Sequence, residues 1–140
     1  MAVGVGGPGA TYFTQGFGFS NIERATQVDA ERTHFRIGST SKALTAYGLV
    51  KLVRAEKLDL DQPINAYIAD SGAHGHEITL RMLAGHTSGV RHYQDMSELG
   101  SLVHYDSVTE SLPLFLNDAL KFAPDTDYLY STYGLSLIHI

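Results

Sequence analysis

Apolar and polar positions follow two different rhythms along this chain. In the first twenty residues the rhythm is short. "AVGV" and "ATYFTQGFGFS" are β-rich and aromatic, and "GGPG" separates them. Such runs on either side of a Gly/Pro cluster predict a β-hairpin, with the glycines and Pro8 in the turn. "NIERATQVDAERTH" predicts a polar connector. From Ser39 the period lengthens. Leu44, Leu49, Val50, Leu52 and Val53 recur at helical spacing and no proline interrupts before Pro63, which predicts a helix to about Arg54. "AEKLDLDQP" ends it, and Pro63 is suited to start a short helical turn. "SGAHGHE" predicts a loop. Thr79 is placed to cap a short helix, "LRMLAGH", closed by Gly85.

"TSGVRHYQDMSELGSLVHYD" is polar and irregular and predicts a long loop. Ser107 with Glu110 resembles a capping box. Val108, Leu112, Phe115, Leu116 and Ala119 would then share an apolar face. Pro113 conflicts with that register, because proline past the first turn breaks a helix. A helix starting at Ser111 removes the conflict. "KFAPDTD" predicts a turn, and a last helix is expected to begin near Tyr130. The fold class is α+β: a hairpin, then mostly helices.

Composition narrows the function classes. With 140 residues the chain is long enough for one domain with a core. Net charge is -5 without a basic cluster, which argues against a nucleic-acid partner. There are no cysteines, so disulfides, thiol catalysis and cysteine metal sites are excluded. No apolar run approaches the roughly 18 residues of a membrane span. "MAVGVGGPGA" lacks the basic and apolar regions of a signal peptide, which leaves a cytosolic protein or a missing natural N-terminus.

The chemistry begins in "FRIGSTSK". Ser39 and Lys42 are three apart where a strand-like stretch becomes a helix, a spacing that puts both side chains on one face. Serine is a poor nucleophile until a base takes its proton, and a lysine can be that base only with a lowered pKa. The helix start would also present the Ser39 N–H to a developing oxyanion. Tyr130 adds a phenol able to pass a proton to a leaving group. The plainer alternative is that Tyr128, Tyr130 and Tyr133 are packing aromatics.

"FRIGSTSKALTAYGLVKLVRAEKLDLDQPI", "ITLRMLAGHTSGVRHY" and "FAPDTDYLYSTYG", in that order, resemble the serine β-lactamase and penicillin-binding-protein superfamily, in its class C-like branch. Within that branch, "HTSGVRHY" and "YST" are most similar to the mitochondrial serine β-lactamase-like members and their bacterial relatives. The resemblance covers about Gly4 to Gly134. It implies a serine hydrolase of the β-lactamase, D-alanyl carboxypeptidase or esterase kind, acting through an acyl-enzyme on an amide or ester carbonyl of a small molecule or peptide. It implies Ser39 as the acylated nucleophile, Lys42 as its proton acceptor or tuner, and Tyr130 as the shuttle to the leaving group. His86 to Gly89 would shape the loop bordering the site. No metal or organic cofactor is implied. Most relatives carry asparagine where this chain has Thr132, a substrate-binding position. A hydroxyl cannot present an amide N–H₂ and C=O together, which leans toward peptidase or esterase chemistry. Asp125 stands where relatives usually have glycine.

The superfamily's third motif, lysine or histidine followed by threonine or serine and then glycine, has no counterpart among the residues after Tyr130. Residues 1–140 are therefore expected to be the N-terminal portion of a single β-lactamase-like domain, with the hairpin and most of the helical region present and the C-terminal strands and helix missing. Leu135 to Ile140 also match the translation of a sequencing-adapter end. An adapter-derived tail is expected there, with an ordinary apolar helix start as the alternative. A non-catalytic scaffold on the same fold is the rival function. Three decoys carry less. Gly4, Gly6 and Gly9 fit G-x-G-x-x-G without a βαβ unit. His74 and His76 share a glycine loop without a metal signature. "GHTSG" places Ser88 one position late for a nucleophile elbow.

Overall fold

The computed structural model describes every residue except Ala73 and His76, so His76 of the histidine pair lies outside the described residues. The chain divides into two compact units, Met1–Gly38 and Ser39–Ile140.

The first unit is built from two antiparallel hairpins. β1 (Ala2–Gly7) pairs with β2 (Ala10–Gly16) from Ala2↔Gly16 to Gly7↔Ala10, with a bulge between Val5 and Gly6. The expected turn is present, and Gly9 sits at φ 75°, in the left-handed region that glycine enters without steric penalty. The expected second run is split: β2 stops at Gly16, and the run's last residues join the connector in a hairpin that the sequence pattern did not predict. β3 (Phe19–Asn21) pairs with β4 (Thr26–Gln27). Asn21 reverses the chain by accepting the Arg24 N–H on Oδ1 at 2.7 Å, an Asx turn whose strands are too short to show a two-residue period.

The second unit is helical. α1 (Thr40–Arg54) occupies the predicted span, and Lys51 and Arg54 lie in its last turn, where cations complement the helix dipole. A 3₁₀ turn at Ile64–Ala66 follows Pro63 as expected. α2 (Leu80–Gly85) starts at Thr79, whose side chain accepts the Met82 N–H. The left-handed residue that closes α2 is His86, at φ 61°, and not Gly85. α3 (Met96–Leu99) interrupts the expected loop. Asp95 caps it by accepting the Ser97 and Glu98 N–H groups.

The helix expected from Ser111 is instead a 3₁₀ helix over Val108–Leu114 containing Pro113. Ser107 makes no cap bond there; its hydroxyl lies 2.8 Å from Thr109 Oγ1, and Glu110 accepts from the Asp106 N–H. The tighter helix replaces the α-helical ladder that proline would break. α4 (Thr132–His139) begins after Ser131 and packs on α1, α2 and the 3₁₀ helix.

The core of this unit gathers Leu49 of α1, Leu80 and Leu83 of α2, Leu112 and Phe115, and Tyr133 and Leu137 of α4 around Ile64, Ile78 and Val90. Of the predicted apolar positions of α1, Leu49 is buried and Val53 is half-buried against this core. Leu44, Val50 and Leu52 stay exposed. Among the described residues no helix is long and apolar enough to cross a membrane.

Candidate active site

Ser39 immediately precedes α1, yet its hydroxyl does not cap the helix. A serine here ordinarily accepts an N–H of the first turn. Instead, Ser39 Oγ accepts a hydrogen bond from Tyr130 OH at 2.8 Å and another from Lys42 Nζ at 3.3 Å. Lys42 also donates to Thr132 Oγ1 at 3.1 Å, and its ammonium lies 4.9 Å from the centre of the Tyr130 ring. All four residues singled out from the sequence, Ser39, Lys42, Tyr130 and Thr132, therefore meet at one point of the second unit. The phenol is not merely a packing aromatic, although 91 positions separate it from the serine it contacts.

The electrostatics follow from this contact set. The Lys42 ammonium, by hydrogen bonding, and then the Ser39 hydroxyl hold the Tyr130 phenol below its ordinary pKa. Desolvation, helped by the positive charge of Lys42, lowers the two flanking imidazoles, His86 and His92.

The segment carrying Tyr130 is held from behind. Ser131 is almost fully buried. Its Oγ donates to the Arg91 carbonyl at 2.7 Å and accepts the Gly134 N–H at 2.9 Å, capping α4. Ser131 N donates to His86 Nδ1 and Thr132 N to His92 Nδ1, each at 3.1 Å. The imidazole of His86 packs at 4.7 Å between ring centres from Tyr130, and that of His92 meets the same ring edge-on at 5.5 Å.

Beneath this layer lies Arg91, 4% exposed. Its guanidinium forks onto Glu98 at 2.8 and 3.1 Å, pairs with Asp118, and donates to the carbonyls of His92 and Leu114. Tyr133 OH donates to Glu98 at 3.0 Å, and its ring stacks on Phe115. Burial, reinforced by the Glu98 carboxylate, pushes the Tyr133 phenol up to about 12. Ser131, Arg91, His92 and Glu98 were not singled out from the sequence. Arg91 and His92 fall inside "HTSGVRHY", but no periodicity or spacing marks them. His86, expected only to shape a bordering loop, touches the Tyr130 ring itself.

Residues 1–139 match the family model described as Beta-lactamase. The chain is 27% identical to the mitochondrial serine beta-lactamase-like protein LACTB of Homo sapiens, over 99% of this chain and 38% of that protein. Among solved structures it is similar to a penicillin binding protein from Bacillus halodurans, at 27% identity and TM-score 0.76, covering 98% of this chain and 43% of that one. It is also similar to a D-stereospecific amidohydrolase from Streptomyces sp., at 26% identity and TM-score 0.64, covering 74% of this chain and 35% of that one. The chain thus spans less than half the length of each of these relatives.

Proposed function

The chain belongs to the beta-lactamase family, and from that premise we propose that it carries the nucleophile of a serine acyl-transfer hydrolase acting on an amide or ester carbonyl. The observation that supports this most directly is the Ser39 hydroxyl, relieved of helix capping and contacted at 2.8 Å by Tyr130 and at 3.3 Å by Lys42. In this reading the Tyr130–Lys42 pair, once it has shed one proton to solvent, takes the Ser39 proton as Oγ bonds to the carbonyl carbon. The Ser39 N–H, which has no acceptor among the described residues, faces the oxyanion that forms, a contact typically worth 10²- to 10³-fold in rate. Collapse breaks the bond to the amine or alcohol, and Tyr130 returns its proton to that leaving group. Water then releases the acyl group from Ser39. Lys42 tunes the phenol throughout, and Thr132 holds Lys42 through one hydroxyl contact.

Both units belong, on this proposal, to a single β-lactamase-like domain, an idea supported by a family match that runs through both.

A serine-directed fluorophosphonate probe tests the assignment. Labelling of the peptide containing Ser39, abolished in Ser39→Ala, is the expected result. An unlabelled wild-type chain would overturn the assignment and favour a non-catalytic scaffold.

A further inference from the structure

Ser131 is extended and leads into α4, and three backbone N–H groups between Leu129 and Thr132 bond to histidine atoms. Leu129 N donates to the His86 carbonyl at 3.0 Å, Ser131 N to His86 Nδ1, and Thr132 N to His92 Nδ1. Tyr130 therefore sits between two amides fixed by one residue, with the next amide fixed by a second. A ring nitrogen can accept a hydrogen bond only while it lacks a proton. Both imidazoles must then be neutral, with their hydrogens on Nε2. His86 can offer backbone and ring together because it adopts the left-handed conformation at the end of α2.

We propose that His86 and His92 are positioning residues that hold the Tyr130 phenol on Ser39 through their Nδ1 lone pairs, and that protonating either ring releases it. The consequence for chemistry rests on Ser39 being the nucleophile; the clamp itself does not. A protonated ring turns its Nδ1 into a donor that faces a backbone N–H, so an attractive contact becomes a repulsive one. The groups facing the two rings are the Lys42 ammonium from α1, the Tyr128 and Tyr130 rings, and each other, with Tyr93 also against His92. Among the groups facing the rings there is no carboxylate to stabilise an imidazolium.

An N–H···N hydrogen bond transmits a scalar coupling between its two nitrogens, which gives a direct signature in the uniformly ¹⁵N-labelled chain. Near neutral pH, couplings are expected from the Ser131 amide to His86 Nδ1 and from the Thr132 amide to His92 Nδ1. They should vanish together with ring protonation, with both amide resonances shifting along the same titration. A functional arm uses His86→Asn and His92→Asn together. Asparagine tolerates the left-handed backbone and offers an acceptor that cannot be protonated. Below its titration each ring loses about tenfold of its neutral form per pH unit. The fluorophosphonate labelling rate of the wild type should therefore fall more steeply with acid than that of the double variant. Tyr130 ionisation contributes to both proteins, so the difference isolates the rings. Missing couplings, hydrogens on Nδ1, or identical pH profiles would overturn the proposal. Couplings in a chain whose Ser39 never labels would retain the clamp and sink the nucleophile assignment instead.

Discussion

Arg91→Met removes the group on which the site's supporting layer converges. The side chain is 4% exposed and satisfies two carboxylates and two carbonyls. Methionine fills much of the volume but makes none of those bonds. Deleting one member of a buried ion pair costs about 3–5 kcal/mol, because the remaining charge is left without compensation. The Glu98 and Asp118 side chains are 23% and 43% exposed, so both can recover some water, and the lower end applies. The carbonyls of His92 and Leu114 also lose their donor.

A loss of about 3 kcal/mol in a body of roughly 100 residues lowers Tm by about 12–24 °C. Thermal unfolding followed by circular dichroism at neutral pH measures it. Arg91→Lys separates charge from geometry: one ammonium cannot reproduce a fork shared by four acceptors, so less than half of the loss should return. A Tm for Arg91→Met within about 4 °C of the parent would refute the reasoning, since that is the scale of about 1 kcal/mol. Full rescue by lysine would show that charge alone is sufficient.

Gly89 has φ 76°, and a Cβ there would lie 2.4 Å from the Phe122 carbonyl oxygen. Gly89→Ala combines left-handed strain with that overlap and should destabilise by about 2–4 kcal/mol, read as a lower urea midpoint at unchanged slope. Stability should also fall with acid in two stages. His86 and His92 titrate below the ordinary imidazole value of 6.5 in the folded chain, so the unfolded chain binds more protons and stability drops as pH falls below about 6.5. The second stage belongs to Glu98, Asp61 and Asp95, held below the ordinary carboxylate range by hydrogen bonds from Arg91, Arg81 and Ser97 respectively; their contribution persists above about pH 4.5 and is lost beneath it. At the alkaline end Tyr133 acts oppositely, because its phenol is raised from 10.0 to about 12 and its contribution is lost as pH rises through that window. Urea unfolding across pH measures all three limbs, and a flat profile from about pH 7 to about pH 5 would count against the histidine limb.

What could be read in the sequence follows the range of the interaction that fixes each feature. α1 was legible because its helical period and its proline-free length are local properties, and the Ser39–Lys42 pair because a three-residue spacing on a helix is itself a geometry. The hairpin of β1 and β2 announced itself through its Gly/Pro turn. The β3–β4 hairpin did not, since two strands this short carry no period and are set by one Asx turn. α3 was hidden for a similar reason: an aspartate cap rather than an apolar stripe defines it. The 3₁₀ helix around Pro113 shows a local rule giving way to a tighter local alternative.

The supporting layer belongs to another class. His86, His92, Arg91 and Ser131 are each tied to the site by at least one bond that closes 27 to 45 positions along the chain, several of them to backbone atoms that have no sequence identity. Asp125 shows how the two classes meet. It stands where relatives usually have glycine, and it adopts φ 64° while donating its N–H to the Thr87 carbonyl at 2.8 Å. The family resemblance exposed the substitution, but only the fold reveals that the position asks for a left-handed residue, a demand that aspartate tolerates better than most. The Ser39–Lys42 pair can thus be found by its spacing, whereas the residues that hold Tyr130 at 2.8 Å from Ser39 are chosen by the fold after the chain has returned to the same point.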